Sequence, residues 1–131
     1  MMIEFYIDTH SGVPPYLQIG QQVRRALKLG RLEQGDQLPT VKEVVARLAI
    51  NPNTVSKAYR ELEHEGLVVA RVGVGTFVAK SLGSESFSAL APLRHDLQKW
   101  MESARRAGLD DESIEALVRE CFRSTSGTVV A

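Results

Sequence analysis

Cysteine is nearly absent: Cys121 stands alone in 131 residues. One thiol closes no internal disulfide, and no Cys-x-x-Cys pair exists to hold zinc. No run of ~18 apolar residues occurs, so no transmembrane helix is expected. The N-terminal MMIEFYIDTH carries an acid and no basic stretch, unlike a secretory signal. These absences lead us to expect a reducing, cytoplasmic setting without a membrane partner. Net charge is missing as well, because 16 Lys+Arg balance 16 Asp+Glu. That excludes a uniformly basic surface but not a local one. Catalytic patterns are lacking: there is no Ser-His-Asp order, no paired-carboxylate site and no P-loop. His10, His64 and His95 are scattered without metal spacing. No enzyme, cofactor or metal is therefore expected. What remains is 24% charged and 44% hydrophobic, an ordinary globular composition. The length suits one domain, or a small domain with an appendage.

The balanced charge is unevenly spread. Residues 1–80 carry ten Lys/Arg against eight Asp/Glu, whereas 81–131 carry six against eight. From Gly20 to Lys80 the ratio is ten to six. The stretch 80–88 is rich in Ser and Gly and reads as a joint. It divides residues 1–80 from residues 81–131.

Residues 3–7, Ile-Glu-Phe-Tyr-Ile, suit a short extended arm. Pro15 suits the first turn of a helix, where its missing N–H has no partner to lose. Tyr16, Ile19, Val23 and Leu27 then give an apolar face at helical spacing, and Gly30 stops it. Residues 32–39 read as a connector turning at Gly35-Asp36. Thr40-x-x-Glu43 is a capping box, in which each side chain satisfies a free N–H of the first turn. Val41, Val44, Val45 and Leu48 form the buried face of that second helix.

Asn51-Pro52 opens a third helix, as N-cap and first-turn residue, and Gly66 ends it. At ~100° per residue, Val55, Ala58, Tyr59 and Leu62 share one side. Asn53, Ser56, Lys57, Arg60 and His64 share the opposite side. These carry amide, hydroxyl, ammonium and guanidinium groups, which suit phosphates and base edges. Glu61, Glu63 and Glu65 are held to the last turns. Residues 67–72 and 76–79 read as two strands about the turn Gly73-Val-Gly75, with Arg71 beside the tip. The fold class expected is mostly α with a small β-hairpin: a winged helix-turn-helix followed by two C-terminal α-helices.

Four separated blocks carry a resemblance: Pro14-Pro-Tyr-Leu-Gln-Ile, Gly35-Asp-Gln-Leu-Pro-Thr40, Asn51-Pro-Asn-Thr-Val-Ser-Lys-Ala-Tyr-Arg-Glu-Leu62, and Glu65-Gly-Leu with Gly73-Val-Gly-Thr-Phe-Val78. Their order and spacing resemble the GntR family of bacterial transcription regulators over about residues 13–79. The resemblance implies that Thr40 reaches phosphate and that Lys42 contacts DNA. It implies that Asn53, Thr54, Ser56 and Lys57 open the recognition helix toward the groove. It also implies that Gly73 and Gly75 let the wing approach the minor groove. Asn51, Arg60 and Arg71 complete the candidate DNA-contacting set. Many members carry Arg where this chain has Pro52 and Ser56, which implies a different operator preference.

Beyond the joint, Pro92 is expected to start a helix bearing Leu93, Leu97, Trp100, Met101 and Ala104, ending at Gly108. Asp110 caps the next helix, with Leu109 and Ile114 as a hydrophobic staple. Ile114, Leu117, Val118, Cys121 and Phe122 are expected to form its buried stripe, with Cys121 there for packing. Residues 124–131 read as a frayed tail. About fifty residues are too few for the large effector domain usual in the family. A winged domain plus two helices resembles the short YtrA-type subgroup, which implies dimerisation through Leu93, Leu97, Trp100, Met101, Ile114, Leu117, Val118 and Phe122. The function expected is a homodimeric repressor on a palindromic double-stranded operator, with a transporter operon as target. A small effector between the C-terminal helices and the winged domain would release it. The rival is a winged-helix protein interaction module without DNA binding.

Overall fold

The computed structural model describes residues 3–80 and 87–126, the side chains of 87–89 and 126 aside. Five helices and one antiparallel hairpin follow in order: α1 (Pro15–Lys28), α2 (Val41–Leu48), α3 (Pro52–His64), β1 (Val68–Arg71), β2 (Gly75–Val78), α4 (Phe87–Arg106) and α5 (Asp111–Ser126). The mainly helical, winged architecture expected is the one found. The chain divides into two compact units, residues 1–89 and 90–131.

In the first unit α3 is the central element, packed by α1, α2 and β1. Val55, Ala58, Tyr59 and Leu62 are buried on its inner face. They meet Ile19, Val23 and Leu27 of α1, Val44 of α2, and Leu67, Val68 and Val78 of the hairpin in one core. The helix ends are set as their sequences dictate. Thr40 and Glu43 make both bonds of the capping box. The Asn51 side chain accepts from the Asn53 N–H at 2.8 Å, and Pro52 follows at the first helical position.

α1, α3 and α4 all stop in the same paired-bond motif. Arg31, Leu67 and Leu109 donate back to the Ala26, Leu62 and Ala104 carbonyls, just past Gly30, Gly66 and Gly108. α2 has no glycine to use. Ala49 takes the left-handed conformation there, at φ 54°, to make the turn into α3.

The connector carries more structure than its sequence suggested. Gly35 N–H donates to the Val78 carbonyl at 2.9 Å, Val78 N–H to Asp36 at 2.7 Å, and Leu38 N–H to Thr76 at 2.8 Å. Residues 35–38 thus cover the outer edge of β2, which would otherwise present unpaired backbone groups. Leu32 and Leu38, each 1% exposed, pin the segment to the core. Burial of each contributes about 1.5–3 kcal/mol, enough to hold a stretch with no regular pattern. The hairpin is shorter than expected: Val72, Gly73 and Val74 form the turn, and Gly75 belongs to β2.

The N-terminal arm, residues 3–7, has no regular secondary structure and pairs with no strand among the described residues. Two glutamines, one helical turn apart on α1, take a strand's place. Gln18 accepts from Asp8 N–H at 2.8 Å and donates to the Asp8 and Val13 carbonyls and the Ser11 hydroxyl. Gln22 accepts from Tyr6 N–H and donates to its carbonyl. Gln18 is nine-tenths buried, and every polar atom of its amide is used.

In the second unit, Asp110 caps α5 by accepting from Ser113 N–H at 2.8 Å, a bond that holds its carboxyl below the usual range. Leu109 is half-buried, and Ile114 and Ala104 are buried. One expectation is corrected. α4 starts at Phe87, so Pro92 lies inside the helix, where it cannot donate to the carbonyl four residues back. Within its own unit the α5 stripe is covered at Ile114 alone, with Val118 half-buried and Leu117, Cys121 and Phe122 exposed, so the rest of the stripe needs a further surface to be buried. Cys121 is exposed on that stripe. Residues 81–86 of the expected joint and 127–131 of the expected tail lie outside the described residues; 124–126 are helical.

Two stability predictions follow from these contacts. Ala49→Gly relieves a left-handed alanine and is expected to stabilise the first unit by about 0.5–1 kcal/mol, net of the added chain entropy. Urea unfolding checks this, and an unchanged or lower midpoint counts against the strain. Gln18→Leu strands the arm's polar groups and is expected to cost about 2 kcal/mol. Hydrogen exchange should quicken first at Asp8, and protection equal to the parent's would contradict the clamp.

Candidate nucleic-acid interface

The start of α2, the outer face of α3 and the hairpin tip carry the sequence-derived candidates. At the α2 start, Thr40 Oγ1 accepts from Glu43 N–H at 3.1 Å. Its own O–H is left to donate, which suits a phosphate oxygen. Lys42 is exposed on the first turn.

Along α3, Asn53, Lys57 and Arg60 are exposed, while Thr54 and Ser56 are half-buried. The first turn holds no acid, so the positive helix end is uncompensated. Asn51 Oδ1 is committed to the cap, so only its amide N–H groups remain to meet a ligand. Lys57 Nζ lies 4.0 Å from the Tyr16 ring centroid. That stacking holds the ammonium beside the helix while leaving it accessible, and contributes about 0.5–1 kcal/mol at such a site. Sequence reading gave Tyr16 only a packing role. Its second use has no local signal, because the partner lies on another helix.

The three acids of α3's end are mostly occupied. Glu63 accepts from Ala70 N–H at 3.0 Å and ties the hairpin to the helix. Glu65 pairs with Arg24 of α1, whose guanidinium lowers the Glu65 carboxyl and is itself raised in turn. Arg47 likewise pairs with Glu4 of the arm at 3.0 Å. Two of the basic residues counted in the sequence are thus matched internally. Lys42, Lys57, Arg60 and Arg71 remain exposed around the candidate surface.

At the wing, the Arg71 guanidinium lies over the Phe77 ring at 4.9 Å. The two wing glycines differ. Gly73 has open space about it at the tip, at φ 76°. Gly75 sits at φ 144°, and a Cβ there would meet Gln37 Nε2 at 2.6 Å. The Gln37 amide tip can swing away, so it is the positive φ, which L side chains rarely adopt, that favours glycine here. Val72 and Val74 beside the tip are exposed.

The candidate dimerisation residues lie in the second unit. Leu93, Leu97, Trp100, Leu117 and Phe122 are exposed there, Met101 and Val118 are half-buried, and Ile114 is buried. Among the described residues, no His/Cys/Asp/Glu cluster could hold a metal, and no helix is long and apolar enough to cross a membrane.

Comparison with known proteins agrees with this geometry. The family model described as bacterial regulatory proteins, gntR family, matches residues 15–78. The chain is 33% identical over 92% of its length to the HTH-type transcriptional repressor YtrA of Bacillus subtilis, covering 94% of that protein. Its structure resembles a transcriptional antiterminator from Listeria monocytogenes, with a TM-score of 0.56 and 34% identity over 93% of this chain and 92% of that one. It also resembles YtrA of Sulfolobus acidocaldarius, a GntR-family transcription factor, with a TM-score of 0.52 and 28% identity over 92% and 98%. These relatives are transcription regulators and not enzymes, and this chain belongs with them to the GntR family of bacterial regulatory proteins.

Proposed function

We propose that the chain is a dimeric transcription repressor that binds a palindromic operator through Thr40, Lys42, Asn51, Asn53, Thr54, Ser56, Lys57, Arg60, Arg71, Gly73 and Gly75. The observation that carries this is the acid-free start of α3, with Asn53, Lys57 and Arg60 exposed beside it. Phosphate contacts would set register, and the helix 3 side chains would read base edges. Occupying the operator excludes other proteins from it, which is repression in its simplest form.

Two-fold pairing is supported by the second unit. Its α4 and α5 expose Leu93, Leu97, Trp100 and Leu117, apolar side chains that a second copy would cover. Two copies joined there would present α3 helices to half-sites about 34–36 Å apart or a multiple. A small effector that altered this spacing would release the DNA, and a transporter operon is the target that the family resemblance suggests. The apolar wing tip, Val72 and Val74, is the one feature suited to the rival reading, a protein interaction module without DNA.

Salt separates the two readings. DNA binding should weaken steeply as salt rises, with a slope set by the cations engaged. Lys57→Ala is expected to lower affinity by about tenfold and to reduce the log–log salt slope by about 0.9. Fluorescence anisotropy on duplex selected from a random pool measures both, and salt-insensitive binding would favour the rival. Leu97→Asp places a charge in the proposed pairing surface and is expected to give monomers in sedimentation. A variant that stayed dimeric at micromolar concentration would remove α4 from the interface.

A further inference from the structure

The peptide unit that joins Pro39 to Thr40 is held at both edges. Its carbonyl oxygen accepts from the Tyr59 hydroxyl at 2.7 Å, and its N–H donates to Glu43 Oε1 at 3.2 Å. One hold comes from α3 and the other from α2. Thr40 follows directly, with its Oγ1 fixed by Glu43 N–H. The plane that sets where the Thr40 hydroxyl sits is therefore tied to the inner face of the helix whose outer face carries Asn53, Lys57 and Arg60.

We propose that Tyr59 is a positioning residue for DNA recognition: its hydroxyl fixes the Pro39–Thr40 peptide, and with it the separation between the Thr40 hydroxyl and the reading face of α3. The proposal rests on the reading that Thr40 and α3 face DNA. Tyr59 itself touches no DNA, being 7% exposed.

The N-terminal arm forms the other wall of this device. Phe5, 6% exposed, lies with its ring centroid 6.5 Å from that of Tyr59, at 55°. The arm that carries Phe5 is pinned by Gln18 and Gln22. Confined between that ring and the core, the phenol has little freedom to turn away from Pro39. Burial, with a smaller contribution from the Glu43 carboxylate, holds the Tyr59 phenol far above its ordinary range. The hydroxyl therefore keeps its proton and remains a donor at any pH suited to DNA binding.

Core filling alone does not require tyrosine here. Phenylalanine has the same ring and would bury as well, so the hydroxyl is the atom whose role the test isolates. In the 131-residue chain, Tyr59→Phe is expected to bind duplex selected by the parent about fivefold more weakly at 15 °C. Its affinity for random duplex should be unchanged. Its salt slope on the selected duplex should be unchanged too, because no cation has moved. Phe5→Leu, which keeps an apolar side chain but loosens the wall, should shift the selected-site affinity in the same direction by less.

Parental affinity of Tyr59→Phe for the selected duplex overturns the proposal. So does an equal loss on both duplexes, because misplacement of Thr40 against the reading face costs the selected site more than random duplex; melting by circular dichroism then shows whether unfolding is the cause. Lys57→Ala in the same assay separates the proposal from its premise. If Lys57→Ala loses slope while Tyr59→Phe binds as the parent does, the positioning role fails and the DNA-facing reading stands. If Lys57→Ala alters neither affinity nor slope, the DNA-facing reading fails, and the proposal falls with it.

Discussion

Everything in the first unit depends on one helix being buried along one side only. α3 places Val55, Ala58, Tyr59 and Leu62 in the core at helical spacing, against α1, α2 and β1. Those four side chains fix its position and rotation about its own axis. Rotation is the quantity that matters, because a helix turned by one residue moves its outer side chains by ~100°. Asn53, Lys57 and Arg60 face outward together only because the inner four are locked. The candidate surface is a by-product of core packing, and a core change on α3 is also a change of that surface.

The flanking segments serve the same helix. The arm reaches it through Phe5, α2 through the Pro39 carbonyl, and the hairpin through Glu63 to Ala70 N–H. The segment 35–38 in turn backs the hairpin. Each contact is modest by itself, since a net hydrogen bond contributes about 1 kcal/mol. Their value is geometric. They constrain α3 relative to the α2 start and the wing, the two other places where candidate DNA contacts lie.

Local chemistry was the legible part of the sequence. The capping box at Thr40, the cap at Asn51 and the glycine stops at Gly30, Gly66 and Gly108 are written in adjacent residues, and each stands where expected. So is the two-sided pattern of α3. What could not be read joins residues far apart in the chain. The covering segment 35–38 lacks alternation or β-branched residues, because its pairing is imposed by the open edge of β2 and anchored by Leu32 and Leu38. The arm's partners are glutamine side chains, which have no strand signature. Among the candidate site residues, Gly75 proved to lie within β2 at a positive φ, and not in the turn. Pro92 misled because proline marks a helix start only statistically, and α4 takes it inside.

The zero net charge can now be divided by use. Arg24 and Arg47 are matched by Glu65 and Glu4, so they add little field outside the protein. Lys42, Lys57, Arg60 and Arg71 are left around the candidate surface, together with the uncompensated N-terminus of α3. At physiological salt the Debye length is about 8 Å, so such a cluster acts only on a phosphate backbone already nearby. With those four cations set aside the rest of the chain is net acidic, which weakens the sequence-independent attraction that a basic protein feels for any duplex. On the proposed reading, discrimination would come from how accurately a few groups are placed, which makes the packing that sets the rotation of α3 more important than the number of its cations.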